Sequence, residues 1–271
     1  MKKESKLLNI NDNQIYCNIQ GCGKTVILIH GAGCDSDFFE DTSTLLSKYF
    51  KVITYDRRGY SRSNGVIETD FFNDSIEDLF SIIKLLTPNQ KVILVGCSAG
   101  ALIAMKFSER YPELTSMVIA HEPPFLNLLP SGHSAIEILN QVDEFIEIKK
   151  FGRAANRFLL LMEEGEDNKK IKSEETMIRE EKNMKYFMQY EFKSTFDKEL
   201  SFKFDDKLNL IIGAGDAHRE NYHFIYAKEY TKENDISFVH FPGKHNCAYD
   251  LPFEFASTIH GIITLNTMIE S

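Results

Sequence analysis

The sequence predicts an α/β protein built on a doubly wound, mostly parallel sheet. Short apolar runs recur along the 271 residues, and each ends in a loop that carries Gly, Asp or His. The runs are continuous rather than alternating, which is typical of strands covered by helices on both faces. Patterns typical of helices lie between the runs, and this alternation favours parallel strands joined by crossover helices.

Six apolar runs are the candidates for the main strands, and they cover residues 26–29, 52–55, 91–95, 117–120, 208–212 and 236–241. Upstream of them, residues 6–10 and 14–19 flank Asp12-Asn13, so a hairpin is expected to lead the sheet. Apolar residues at spacings of three and four predict a helix over residues 71–86. A second helix is expected over residues 99–110, directly after the third run.

Residues 125–204 depart from this alternation. They contain no strand-like run, show helical patterns and include a highly charged stretch at 163–185, which we interpret as a solvated helical face. A separate helical domain is the alternative, but about 80 residues flanked by sheet elements favour an insertion. The sequence therefore predicts an α/β core formed by residues 1–124 and 205–271, interrupted by a helical cap or lid at 125–204.

Charge and composition exclude several classes of protein. The chain has 31 Lys and Arg against 40 Asp and Glu, a formal net charge of −9, so the basic surface that nucleic-acid binding requires is not expected. No apolar run suits a secretory signal or a membrane span, and we expect a cytoplasmic protein without a membrane partner. Five scattered cysteines form no CxxC pair, which indicates neither a disulfide framework nor a zinc site. No metal or organic cofactor is implied.

The sharpest motif is the pentapeptide Gly96-Cys97-Ser98-Ala99-Gly100, a GxSxG pattern. The pattern alone is weak, because small residues cluster in many loops. Its position between a predicted strand and a predicted helix is the context that a nucleophile elbow requires. In that geometry Ser98 lies on a tight turn at a helix N-terminus, where the partial positive charge favours developing negative charge. Ser98 is the predicted nucleophile.

Four blocks together resemble the α/β-hydrolase superfamily, in its serine-nucleophile branch, and they cover residues 30–33, 56–63, 96–100 and 242–245. The resemblance implies an eight-stranded sheet with a helical cap over the site. Two departures are mild: Ser61 and Ala101 stand where the family often has glycine.

A serine hydroxyl needs a neighbouring base before it can attack an ester. The resemblance implies His245 for this role, since it follows the last strand-like run within a Gly-rich turn. Two carboxylates remain candidates for the acid that orients the base. Asp216 follows the run 208–212 at the family's usual position, whereas Glu122 ends an earlier run where some relatives carry their acid. The chain order Ser…Asp…His favours Asp216 over Glu122.

Acyl transfer also needs two donors that bind the tetrahedral oxygen. The backbone N–H of Ala99, directly after the nucleophile, is expected to supply one. The loop His30-Gly31-Ala32-Gly33 is expected to supply the other through the N–H of Ala32.

The sequence therefore predicts a serine hydrolase that acts on a small-molecule acyl substrate, namely a small carboxylic ester, thioester or lactone. Carbon–carbon bond hydrolysis, amide cleavage and perhydrolysis use the same residues and stay open as alternatives. A non-catalytic ligand-binding protein on this fold is the alternative from another class. Nothing in the sequence indicates the oligomeric state.

Overall fold

The structure is a computed structural model, and it describes residues 3–125, 128–129, 132–162, 172–205 and 208–270. Its centre is one sheet of eight strands: β1 (Glu4–Ile10), β2 (Asn13–Gln20), β3 (Thr25–Ile29), β4 (Lys51–Tyr55), β5 (Val92–Cys97), β6 (Thr115–His121), β7 (Leu210–Gly215) and β8 (Ser237–Phe241). The spatial order is β1-β2-β4-β3-β5-β6-β7-β8. Every pairing from β4 to β8 is parallel, and β1 and β2 join antiparallel. The predicted fold class is confirmed.

The described residues include ten helices beside the sheet: α1 (Glu40–Leu46), α2 (Phe71–Leu86), α3 (Ala99–Arg110), α4 (Ser134–Glu147), α5 (Phe151–Met162), α6 (Glu174–Tyr190), α7 (Phe192–Thr195), α8 (Tyr222–Asn234), α9 (Cys247–Asp250) and α10 (Pro252–Glu270). Helices α2 and α3 have the predicted bounds. The Asp70 side chain accepts a hydrogen bond from the N–H of Asn73 and so caps the start of α2. No helix within the described ranges is long and apolar enough to cross a membrane.

The predicted leading hairpin is formed by β1 and β2. Its turn consists of Asn11 (φ 47°) and Asp12 (φ 62°), and Ile10 pairs with Asn13 across it. A two-residue hairpin turn of this kind needs positive φ at both positions, which Asn and Asp tolerate better than most residues. The turn thus lies one residue earlier than Asp12-Asn13.

Both faces of the sheet are buried at its central strands, such as β3 and β5, which explains why these strands read as continuous apolar runs. In β3, Ile27 and Ile29 belong to an apolar cluster that also contains side chains of α2 and α3. Val26 and Leu28, the alternate residues, belong to a second cluster with side chains of α10. Since successive side chains of a strand point to opposite faces, no face of β3 is left for polar residues.

Helices α4 to α7 lie between β6 and β7 in the chain, within the region where a helical insertion is predicted. Phe158 of α5 and Phe187 of α6 are buried in the same apolar cluster as one face of the sheet. Of the charged stretch at 163–185, residues 163–171 lie outside the described residues. The insertion bounds of 125–204 stay a prediction.

Candidate active site

Ser98 lies between the end of β5 and the start of α3. Its backbone has φ 54° and ψ −124°, a conformation that L residues rarely adopt, and its N–H donates to the carbonyl of His121 at 2.9 Å. A Cβ on Gly96 would lie 2.2 Å from the carbonyl oxygen of Gly100, and one on Gly100 would lie 2.2 Å from that of Ile29. The motif needs both glycines because backbone segments meet too closely for any side chain.

His245 follows β8 in a Gly-rich turn, and its imidazole Nδ1 lies 2.5 Å from Oε2 of Glu122. Glu122 comes directly after β6, is only 3% exposed and has φ 48°. Its other carboxylate oxygen accepts the N–H of Gly215 at 2.7 Å. The sheet therefore brings an imidazole together at its carboxyl edge with a buried carboxylate whose two oxygens both accept hydrogen bonds.

The Glu122 carboxylate is held in its charged form. Burial by itself raises the pKa of a carboxyl group, but His121 and the hydrogen bond with His245 outweigh burial and hold the pKa of Glu122 well below its usual range. A charged carboxylate accepts the N–H of an imidazole strongly. Nδ1 of His245 is thereby assigned as the protonated ring nitrogen, and Nε2 is the one that can accept a proton.

The structure does not bring Asp216, the favoured candidate for the acid, into contact with His245. Asp216 follows β7 at the surface with its side chain 40% exposed, and Oδ1 accepts from Nε of Arg219 at 2.5 Å. The same oxygen lies 3.0 Å from Nδ1 of His240. Since these groups take up the carboxylate outside the buried site, the partner of His245 is the rival candidate, Glu122.

Another imidazole, that of His223, lies against His245, and the sequence did not predict it. His223 is in the first turn of α8, is 2% exposed and stacks on His245 with ring centroids 4.1 Å apart and planes 20° apart. Burial, the larger cause, and the proximity of His245, the second, lower the pKa of His223 well below its usual range. No motif in the sequence marks a histidine at the start of a helix as a partner of another histidine.

Glu122, His223 and His245 offer ligand atoms within 4.8 Å of one another, a spacing compatible with a metal site. Glu122 and His245 already share a hydrogen bond of 2.5 Å. The rings of His223 and His245 are nearly parallel, whereas an ion shared by two imidazoles must lie close to the plane of each. The geometry as it stands favours an acid–base pair with a stacked neighbour over a metal centre.

The loop that follows β3 approaches the nucleophile. A Cβ on Gly31 would lie 3.0 Å from Cβ of Ser98. Ala32, Ser98 and His245 all line one cavity of about 1040 Å³. Ala99 is the first residue of α3, and the first N–H groups of a helix have no partner within the helix. The structure thus brings the predicted nucleophile, base and Ala32 to one cavity.

Apolar side chains from the inserted helices form much of the cavity wall, and they are Phe158, Leu159, Met177 and Met184. Phe38 and Tyr249 contribute from the core. Lys172 and Glu180, which also line the cavity, form an ion pair at 2.8 Å. The other charged residues that line the cavity balance in sign, and they are Arg153, Glu181, Lys185 and Asp250. An apolar wall with no net formal charge suits an uncharged organic group.

Comparison with known proteins agrees with this fold. A family model described as alpha/beta hydrolase fold matches residues 24–208. The uncharacterized hydrolase YraK of Bacillus subtilis (strain 168) is 27% identical over 266 residues, 94% of each chain. A pimeloyl-[acyl-carrier protein] methyl ester esterase of Aliivibrio fischeri (strain MJ11) is 31% identical over 160 residues, 58% of this chain and 59% of the esterase.

Among solved structures, an esterase from Exiguobacterium antarcticum superposes with a TM-score of 0.70 at 18% identity, over 96% of this chain and 100% of the esterase. Identity at that level supports the shared fold. The family model spans more than half of the sequence, including the Ser98 elbow. The chain therefore belongs to the alpha/beta hydrolase family.

Proposed function

We propose that this hydrolase cleaves carboxylic esters or thioesters through a triad of Ser98, His245 and Glu122. The observation that carries the proposal is the 2.5 Å contact between Nδ1 of His245 and the buried carboxylate of Glu122. A carboxylate in this position fixes the imidazole tautomer and stabilises the imidazolium that forms during the reaction. Nε2 of the same ring is then the acceptor for the proton of Ser98.

In the first half of the reaction, Oγ of Ser98 attacks the acyl carbon while Nε2 of His245 takes the hydroxyl proton. The N–H groups of Ala99 and Ala32 hold the oxyanion of the tetrahedral intermediate. The intermediate collapses, the leaving alcohol or thiol receives the proton from His245, and an acyl-enzyme on Ser98 is left. Water then attacks the ester carbonyl with His245 as base, and release of the acid regenerates Ser98.

The substrate class follows from the cavity and from one relative. Phe158 and Leu159 offer an apolar wall to an acyl chain, and about 1040 Å³ holds a group larger than acetyl. The name of the relative from Aliivibrio fischeri describes a methyl ester esterase, which supports ester cleavage here. Residues 125–204 act in this proposal as the cap that forms the acyl-binding wall.

A fluorophosphonate probe, which modifies activated serines, tests the proposal. We expect labelling of the wild type and loss of labelling in Ser98→Ala. Ser108→Ala is the matched control, since Ser108 lies on the same helix with its hydroxyl bonded to the carbonyl of Met105. Nitrophenyl esters of increasing chain length then define the acyl preference. A folded wild type that takes up no probe and cleaves no ester would favour the non-catalytic alternative.

A further inference from the structure

His223 is a buried imidazole that the proposed reaction does not use. Its ring lies face to face with that of His245, and its backbone is fixed by Asn221, whose side chain accepts the N–H of His223 at 3.0 Å. Tyr222 covers it from the neighbouring position, with ring centroids 3.8 Å apart. The start of α8 thus holds this ring against the proposed base.

The ring is unusual because its polar atoms are unused. Neither Nδ1 nor Nε2 of His223 has a hydrogen-bond partner among the described residues, although the residue is 2% exposed. Burying unpaired polar atoms is unfavourable, and most buried polar groups do find partners. Since neither nitrogen is paired, the ring acts on its surroundings through its face, and that face lies on His245.

We propose that His223 is a positioning residue for the base: its neutral ring supports the face of His245 and keeps Nδ1 on Glu122 and Nε2 towards Ser98. The inference rests on the proposed function, because it takes His245 as the base. An aromatic face next to a ring restricts rotation out of the stacked plane. A small misplacement of a catalytic group is enough to slow a reaction about 10²-fold.

The charges around His223 agree with this role. The titratable groups that face it are His245, Glu122 and His121, the last of which is also buried. An imidazolium forms on His245 during the reaction, and a second positive charge stacked on it would oppose that step. His223 stays neutral because it is shielded from water, so its face can accept a neighbouring cation without repulsion.

Three substitutions distinguish the contribution of the ring face to activity from that of the ring nitrogens. His223→Phe keeps a flat aromatic face and removes both nitrogens, His223→Gln keeps hydrogen-bonding groups without the ring, and His223→Ala keeps neither. We expect kcat to fall about 10-fold to 10²-fold in the Ala and Gln variants with KM little changed, and to stay near wild type in Phe. Phe224→Leu is the matched control, since Phe224 is buried on the same helix but packs on Phe238 and His240.

A second readout needs no substrate. A proton held between Nδ1 of His245 and Glu122 gives a separate downfield resonance in the NMR spectrum, and the resonance is assigned by its loss in His245→Gln. We expect it to be retained in His223→Phe and to be broadened or lost in His223→Ala. This measurement distinguishes a failure of the inference from a failure of the proposed function, which the fluorophosphonate label on Ser98 reports.

Several outcomes would overturn the inference. Wild-type kcat in His223→Ala, or an unchanged resonance in that variant, would show that the base needs no support from this ring. Full activity in the Gln variant together with an inactive, folded Phe variant would assign the role to the nitrogens. If Phe does not fold, the resonance in the Ala and Gln variants still decides the question.

Discussion

At the scale of single residues, Glu122 carries the sharpest prediction. Glu122→Gln keeps the shape of the side chain and an oxygen for the N–H of Gly215, but it loses the charge that pairs with His245. An amide in this place favours the wrong imidazole tautomer, and the corresponding change in a Ser-His-Asp protease lowers kcat about 10⁴-fold. We expect a loss of about 10³-fold to 10⁴-fold in kcat, measured on a nitrophenyl ester.

Asp216→Asn is the matched control for that experiment. Its carboxylate bonds to Arg219 and His240 at the surface, so we expect near-wild-type turnover. Both variants should retain the wild-type far-UV circular dichroism spectrum and unfold cooperatively. An inactive Asp216→Asn beside an active Glu122→Gln would reverse the assignment of the acid.

These two carboxylates also show how far the sequence determines the site. Ser98 and His245 could be proposed from the sequence because each lies in a Gly-rich turn after a predicted strand, and the structure brings both to one cavity. The sequence favours Asp216 as the acid, but its pattern does not separate Asp216 from Glu122, since β6 and β7 are neighbours that end at the same edge of the sheet. Which side chain reaches His245 depends on backbone details such as the φ of 48° at Glu122, and no short motif encodes them.

At the scale of secondary-structure elements, a buried ion pair joins the loop after β4 to the end of α6. Arg57 and Glu191 are 3% and 1% exposed in their side chains and lie 2.9 Å apart. The hydroxyl of Tyr60 donates to the same carboxylate at 2.9 Å, and the Arg57 guanidinium lies 4.4 Å above the Tyr60 ring. The end of α6 is therefore held to the core of the fold by an ion pair that is shielded from water.

Removing one partner of this pair should be costly. Glu191→Gln leaves the Arg57 guanidinium buried without its counter-charge, and breaking such a pair lowers the free energy of unfolding by about 3 kcal/mol or more. Urea titration measures the loss. Glu147→Gln is the control, because its pair with Lys193 is exposed to solvent, where an ion pair contributes little to stability. Equal effects of the two substitutions would contradict the buried pair's role.

The elements themselves were predicted unevenly. The strands of the sheet could be found because burial on both faces leaves long apolar runs, as in β3 and β5. In α6, Met184, Phe187 and Met188 are buried, but Met177 is 53% exposed and lines the cavity. A methionine beside an open cavity has the same sequence pattern as a core methionine, and only the arrangement of the helices separates them.

At the scale of the whole molecule, three histidines are buried among the residues that the structure describes, namely His30, His121 and His223. Burial, followed by the charge of Arg57, lowers the pKa of His30 to about 3. Burial lowers the pKa of His121 to about 4, and that of His223 also falls well below the ordinary value. His30 accepts the N–H of Arg57 at Nε2, while His121 and His223 lie beside Glu122. All three are therefore neutral in the folded protein at neutral pH.

These buried neutral histidines predict that the stability of the fold begins to fall at pH values well above those at which carboxylates titrate. An unfolded histidine has a pKa of about 6.5, so between that value and the lower folded values the unfolded state binds more protons and stability falls as pH decreases. His30 and His121 should each lower the free energy of unfolding by about 2 kcal/mol by about pH 5, since one pH unit corresponds to about 1.36 kcal/mol, and His223 should act in the same direction. Glu122 acts in a lower window, because its depressed pKa withdraws stability only below the value of the unfolded carboxyl group.

Urea unfolding at a series of pH values between about 7.5 and 5 tests this prediction through the slope of the free energy of unfolding against pH. His30→Asn keeps an acceptor for the N–H of Arg57. It should reduce the slope by the amount that corresponds to the uptake of one proton on unfolding. Ile27→Val, a buried change that titrates nothing, should lower stability equally at every pH and leave the slope unchanged. A wild-type slope near zero over this range would mean that the three imidazoles bind protons as readily in the folded state as in the unfolded state. In that case the neutral ring stacked on His245 would also lose its physical basis.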